Sequence, residues 1–158
     1  MAMMERLRQL LDSSHVPYEL HQHARADTAT TVAAADHVPC SEMAKVVLLR
    51  AGSHYLMAVV PASRRLDLER ARDAVEAPGL ELASESELAK IFPDCETGAM
   101  PPFGDLFGIP LWVDDALGRE SETVFNAGNH RETVHMAYAD FVRLAKPSFG
   151  ALTRPVAE

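Results

Sequence analysis

Lys45 stands near the head of an apolar run, Ala44-Lys45-Val46-Val47-Leu48-Leu49, and a second segment, Gly98-Ala99-Met100-Pro101-Pro102-Phe103-Gly104, is bounded by glycine and stiffened by proline. A cation at the mouth of a buried strand, faced by such a loop, can hold a polar ligand that carries a carbonyl. Glycine allows close backbone approach, and proline fixes loop shape at low entropic cost. Pro101 and Pro102 have no amide hydrogen, so backbone donors would come from Gly98, Ala99, Met100, Phe103 or Gly104. Taken alone, the lysine is an ordinary strand-end cation reaching solvent and the loop an ordinary connection.

Other chemistry-bearing residues are sparser. There is no GxSxG nucleophile elbow and no Cys/His arrangement at local spacing. Cys40 and Cys95 lie far apart, outside any CxxC pattern, so neither a zinc site nor a disulfide framework is expected, and a reduced, cytoplasmic setting is the default. His21 and His23 share one face of an expected strand but lack a third ligand in view, so no metal and no cofactor is expected. Arg64-Arg65, near an expected helix start, is a candidate contact for a nucleic-acid end or simply an exposed pair.

These residues must be positioned by one domain. A chain of 158 residues, 47% apolar and 24% charged, holds one substantial core and is short for two. Its longest apolar runs are far below membrane-spanning length, and Glu5 and Asp12 interrupt the N-terminal segment, so neither membrane nor export is expected. A formal net charge of −8 disfavours duplex DNA as a partner, because affinity for many phosphates needs a basic surface.

Periodicity and capping residues divide the chain into short elements. Leu7, Leu10 and Leu11 predict a helix over Met3 to Leu11, followed by a strand at Tyr18 to His23. Thr28 or Thr30 caps a helix through Val32 to His37. Lys45 to Arg50 and Tyr55 to Val60, separated by Gly52-Ser53, read as the central hairpin. Asp67 caps a helix over Leu68 to Val75, and Ser84-Glu85-Ser86-Glu87 is a capping box for one ending before Pro93. Strands follow at Ile109 to Val113, Thr123 to Phe125 and Thr133 to His135, with a last helix from Tyr138 to Ala145. Hairpins mixed with helical connections imply an α+β domain with a mixed sheet.

The order and spacing of Ala44-Lys45-Val46-Val47, the GxxxPxG loop and Phe125-Asn126-Ala127-Gly128-Asn129-His130-Arg131 resemble the YbaK family, freestanding relatives of the editing domain of bacterial prolyl-tRNA synthetases. The resemblance covers roughly Val16 to Leu144. It implies a mixed, barrel-like β-sheet flanked by helices, and hydrolysis of the ester joining a wrong amino acid to the terminal ribose of tRNA. Lys45 matches the lysine on which activity depends in the family, and Gly98 to Gly104 matches a loop that offers backbone amides to substrate. Several relatives place Ser or Thr before the loop proline, where this chain has Pro101.

The chemistry is compatible with these residues. An aminoacyl ester is already activated, so a site must position water, hold the carbonyl and stabilise charge on its oxygen. Lys45 is assigned an electrostatic and positional role. Gly98, Ala99, Met100, Pro101, Pro102, Phe103 and Gly104 are assigned to carbonyl binding, with Asn126 and His130 as substrate-binding candidates in the later turn. His130 is either a pocket wall or a turn histidine. The expected partner is the acceptor end of an aminoacyl-tRNA, with a synthetase or elongation factor as a candidate helper. A non-catalytic module binding an amino acid, nucleotide or protein partner in the same pocket is the alternative.

Overall fold

The structure, a computed structural model, describes residues 3–156. Helix α1 (Met3–Ser13) buries Met3, Leu7 and Leu11 along one stripe, and is followed by β1 (Tyr18–Gln22) and α2 (Ala29–Ala35). Thr28, not Thr30, caps α2: its hydroxyl accepts the Thr31 amide and the Thr31 side chain answers to the Thr28 amide. The expected hairpin is present as β2 (Ala44–Ala51) and β3 (His54–Pro61), paired from Ala44↔Pro61 to Ala51↔His54. Its two-residue turn opens on Gly52 at φ +64, a conformation that favours glycine.

Next come β4 (Arg64–Leu66), α3 (Leu68–Val75) capped by Asp67, β5 (Glu81–Leu82) and α4 (Glu85–Ile91) with the Ser84/Glu87 capping box. Thus Arg64 and Arg65 lie in a strand, not at a helix start. Strand β6 (Leu111–Asp114) starts two residues later than the sequence suggests. Ile109 is diverted to the carbonyl of Gly104, and Pro110, which has no hydrogen to donate, only accepts from Met57. Then follow β7 (Glu122–Asn126), β8 (Glu132–Ala137), α5 (Tyr138–Ala145), β9 (Ser148–Gly150) and β10 (Thr153–Pro155).

Three sheets result, with orders β5-β2-β3-β6-β9, β1-β8-β7 and β10-β4. The large sheet is mixed: β2 pairs antiparallel with β3 and β5, while β6 runs parallel to both β3 and β9. No closed sheet forms among the described residues, so the barrel-like expectation is corrected to separate sheets. Among the described residues the two larger sheets are linked by one parallel bridge, Met43↔Val124, where the lead-in to β2 meets β7.

The main core fills the space between these sheets. Val46, Met57, Val113, Phe125 and Val134 pack there with Leu7 and Leu11 of α1, Phe141 of α5, and Met100 and Phe103 of the Gly/Pro loop. Phe103 sits edge-on to both Phe125 and Phe141, each at 5.5 Å between ring centres. On the opposite face of the large sheet, Leu49, Ala58 and Val60 pack with Ala71 of α3, while Met43 and Val124 pack with Val32 and Ala33 of α2.

Candidate functional site

Strand alternation decides where Lys45 points. Ala44 and Val46 are buried in the main core, so Lys45 turns to the other face, exposed and opposite Val60 of β3. There a groove of about 790 Å³ runs from Thr30 of α2 over Val47, Val60 and Ala62 to β4 and β10. Lys45 forms no ion pair among the described residues, although carboxylates outnumber cations.

The Gly98 to Gly104 loop belongs to the other side of β2. Ala99 to Gly104 are buried, with Met100 and Phe103 in the main core, and none of the loop residues lines the Lys45 groove. Two of its amides are already used: Ala99 donates to the Glu96 carbonyl at 3.0 Å and Phe103 to the Pro101 carbonyl at 2.9 Å. The amides of Gly98, Met100 and Gly104 have no protein acceptor among the described residues. Gly98 holds φ +87, a region L side chains rarely enter. Gly104 is fixed by space, because a Cβ there would stand 2.2 Å from the Ile109 carbonyl oxygen.

The loop and the later turn are stitched together. The Gly128 amide donates to the Ala99 carbonyl at 2.9 Å, and the Glu96 amide donates to the Gly128 carbonyl at 2.8 Å. The ring of His130, only 4% exposed, donates from Nε2 to the Thr97 carbonyl at 2.8 Å. A carbonyl can only accept, so in the neutral ring Nδ1 remains as an acceptor, and it is buried with no partner among the described residues. Asn126 Oδ1 is in the same condition. Gly98 lies beside this ring, its virtual Cβ 3.9 Å from His130 Cε1.

The Met43↔Val124 bridge sets Lys45 and Asn126 each two residues beyond a paired position. Both bridge residues face α2, Ala44 and Phe125 turn to the main core, and the next residue on each strand, Lys45 and Asn126, turns back toward α2. Sequence reasoning placed the lysine against the loop. Lys45 and the buried residues of the loop lie on opposite faces of β2.

Two residues without a place in the sequence reading complete the frame. Glu96 accepts the His130 amide at 3.3 Å on Oε1 and the Arg25 guanidinium at 2.9 Å on Oε2. Burial opposes its charge, but these hydrogen bonds and the neighbouring cations prevail and hold its carboxyl below the usual range. Asp36, just beyond α2, accepts from the Thr133 hydroxyl at 2.6 Å and contacts His135 Nε2 at 2.6 Å and His21 Nδ1 at 3.4 Å. Burial disfavours the Asp36 charge, yet these partners hold its carboxyl low as well. His21 stacks on His135 at 3.7 Å, so its neighbour is not His23. Ligand atoms of His21, Asp36 and His135 lie within 4.8 Å of one another, a set that could hold a metal ion and that local spacing did not show.

Cys95 precedes the loop but is not poised as a nucleophile. Burial, reinforced by the Asp94 charge, pushes its thiol up to about 12 against the opposing pull of Arg6.

The model of the aminoacyl-tRNA editing domain matches residues 23–144, most of the chain. The chain belongs to this family. Lys45, the Gly/Pro loop and the Asn126 to His130 turn all fall inside the matched editing domain, whereas β10 lies beyond it. The multifunctional Ser/Thr-tRNA deacylase ProXp-y of Escherichia coli K12 is 30% identical over 96 residues, covering 60% of this chain and 57% of that protein. The chain thus spans a little over half the length of the curated relatives it matches. Among solved structures, a candidate trans-editing enzyme for prolyl-tRNA synthetase superposes with TM-score 0.83 at 20% identity, covering 98% of each chain. The hypothetical protein APE2540 superposes with TM-score 0.85 at 17% identity, over 94% of this chain and 99% of that one. These likenesses show that the editing-domain fold extends over nearly the whole chain. No described helix is long and apolar enough to cross a membrane.

Proposed function

We propose that this protein hydrolyses the ester joining a mismatched amino acid to the terminal ribose of tRNA, acting in trans on the acceptor end. The observation that carries the reading is that the matched editing domain holds an exposed cation with no ion pair among the described residues, Lys45, and two buried side-chain atoms without a partner there, Asn126 Oδ1 and His130 Nδ1. Water attacks the ester carbonyl, the bond to the ribose oxygen breaks, and that oxygen leaves with a proton as the amino acid departs. Lys45 stabilises the negative charge that develops on the carbonyl oxygen. The loop lies across β2 from Lys45, so no loop amide is assigned to this oxygen, and the exposed Gly98 beside His130 is the loop residue placed to meet another part of the substrate. Asn126 and His130 accept hydrogens from the attacking water, the α-amino group or the ribose hydroxyl.

No cysteine thiolate enters this scheme, in keeping with the high Cys95 value. Small amino acids are the substrate class. The name of the E. coli relative makes seryl and threonyl esters the first to test, with alanyl and cysteinyl esters beside them. The decisive experiment is a deacylation panel of purified protein against tRNAs mischarged with these amino acids, with Lys45→Ala as control. Release of amino acid by wild type and not by the variant supports the proposal. Tight binding without release by wild type would make the protein a binding module.

A further inference from the structure

The Lys45 groove continues onto the β4–β10 ribbon, where Arg65 and Arg154 stand directly opposite each other. Both are exposed, and neither forms an ion pair among the described residues. Like charges opposite one another on an antiparallel pair destabilise it. The acids in the groove wall are Asp67 and Glu69, and Asp67 is occupied in capping α3 through the Glu69 and Arg70 amides. A chain of net charge −8 thus leaves two adjacent guanidiniums without an ion pair among the described residues, with Glu69 the one acid of the groove wall not committed to a cap.

The ribbon that carries them is anchored from below. Arg64 Nε donates to the Thr153 hydroxyl at 2.7 Å, and that hydroxyl donates to buried Asp114 Oδ2 at 2.9 Å. Asp114 Oδ1 accepts the Leu152 amide at 2.8 Å. Arg64 is therefore spent on structure, while Arg65 and Arg154 line the groove that Lys45 also lines.

We infer that Arg65 and Arg154 form a phosphate clamp for the single-stranded 3′ end of the acceptor strand, gripping its phosphodiesters while the ester lies at Lys45. The inference rests on the deacylase reading. An aminoacyl ester has no free carboxylate, so the anions such a substrate brings to the groove are its phosphates. The planar guanidinium fork matches a phosphate's oxygens. Two such contacts suit a short single strand, since a duplex would call for many more cations.

The test compares wild type with Arg65→Ala/Arg154→Ala and with Arg65→Glu. One arm follows binding of a fluorescent, uncharged single-stranded RNA ending in CCA across a salt series. The other follows hydrolysis of aminoacyl-tRNA and of aminoacyl-adenosine, which has no phosphodiester. The double variant is expected to lose about tenfold in kcat/KM on aminoacyl-tRNA, mainly through KM, and to keep its rate on aminoacyl-adenosine. Its salt slope falls by about 1.4, at about 0.7 per single-strand contact. Arg65→Glu makes an opposite-charge pair with Arg154, so Tm rises while RNA affinity falls. Unchanged RNA affinity and salt slope in the double variant, or a fall in both Tm and affinity in Arg65→Glu, overturns the clamp. If wild type hydrolyses neither substrate, the deacylase reading fails and the RNA-binding arm still decides the clamp.

Discussion

Glu96 and His130 are joined twice over: the Glu96 carboxylate accepts the His130 amide, and the backbone of the adjacent Thr97 accepts the His130 ring. The entrance of the Gly/Pro loop and the turn after β7 are therefore tied together, although the two residues stand far apart in sequence. Loss of the carboxylate should disturb the site without touching the reacting atoms. Glu96→Ala is expected to lower kcat/KM about tenfold, equivalent to one or two lost charge-assisted hydrogen bonds, and Glu96→Gln only about two- to threefold. Steady-state deacylation with parallel thermal melts checks this. Equal effects of Ala and Gln would show that the Arg25 ion pair, and not the His130 contact, is what matters.

Lys45→Ala should fold like wild type, within about 0.5 kcal/mol, because the side chain is exposed and unpaired. Hydrolysis should fall by about 10²- to 10³-fold, the loss typical of removing one oxyanion-stabilising group. Lys45→Arg should also be poor, since a larger planar guanidinium misplaces the carbonyl. Wild-type turnover by a well-folded Lys45→Ala protein would remove the residue from the mechanism.

In the loop, Gly98→Val should cost more activity than Ala99→Ser. Gly98 lies at φ +87, where a β-branched residue is strained by about 1–3 kcal/mol, although the space beside His130 is open enough for a Cβ. Gly104→Ala probes the opposite limit, a collision with the Ile109 carbonyl, and should lower stability by about 1–3 kcal/mol. Circular dichroism melts and kcat/KM for the three variants separate strain at the site from collapse of the loop.

Acid stability should report on Asp36. Its folded carboxyl lies below the unfolded value, so its contribution is present above the unfolded pKa and lost as pH falls through the folded one. Asp36→Asn should cost about 1–3 kcal/mol at neutral pH and flatten the acid limb of the stability profile. Urea melts from pH 7 down to pH 3 measure both. An Asn variant with the wild-type acid limb would show that other carboxylates set that limb.

Recognition of tRNA should be local. Full-length tRNA and an acceptor minihelix are expected to react at similar rates, with a salt slope on the order of −1 to −3. A steep slope together with an inert minihelix would require an extended basic surface.

Local chemistry was readable in the sequence wherever it acts locally. The β2–β3 hairpin announces itself by two aliphatic runs around Gly52, α3 by the Asp67 cap, α4 by the Ser84/Glu87 box, and α5 occupies the span the pattern predicts. Strands β4 and β10 did not, because three residues carry no periodicity and the two partners lie far apart in sequence. The same distance hides the Asp36–His21–His135 cluster, assembled from three separate elements. The candidate residues could be picked out by type, but the face of β2 on which each lies could not. Alternation along β2 places Lys45 on the opposite face of the sheet from Met100 and Phe103 of the loop, and the Met43↔Val124 bridge brings β7 beside the lead-in to β2.

The pairing of β4 with β10 also bears on the order of events during translation. Residues 64–66 emerge early, but the strand that faces them is among the last described segments to leave the ribosome. A nascent chain exposed only to Leu152 can form the hairpin and both larger sheets while one bank of the groove is still missing. Folding of the frame can therefore precede completion of the groove, and a stalled or clipped product would be compact yet lack that wall.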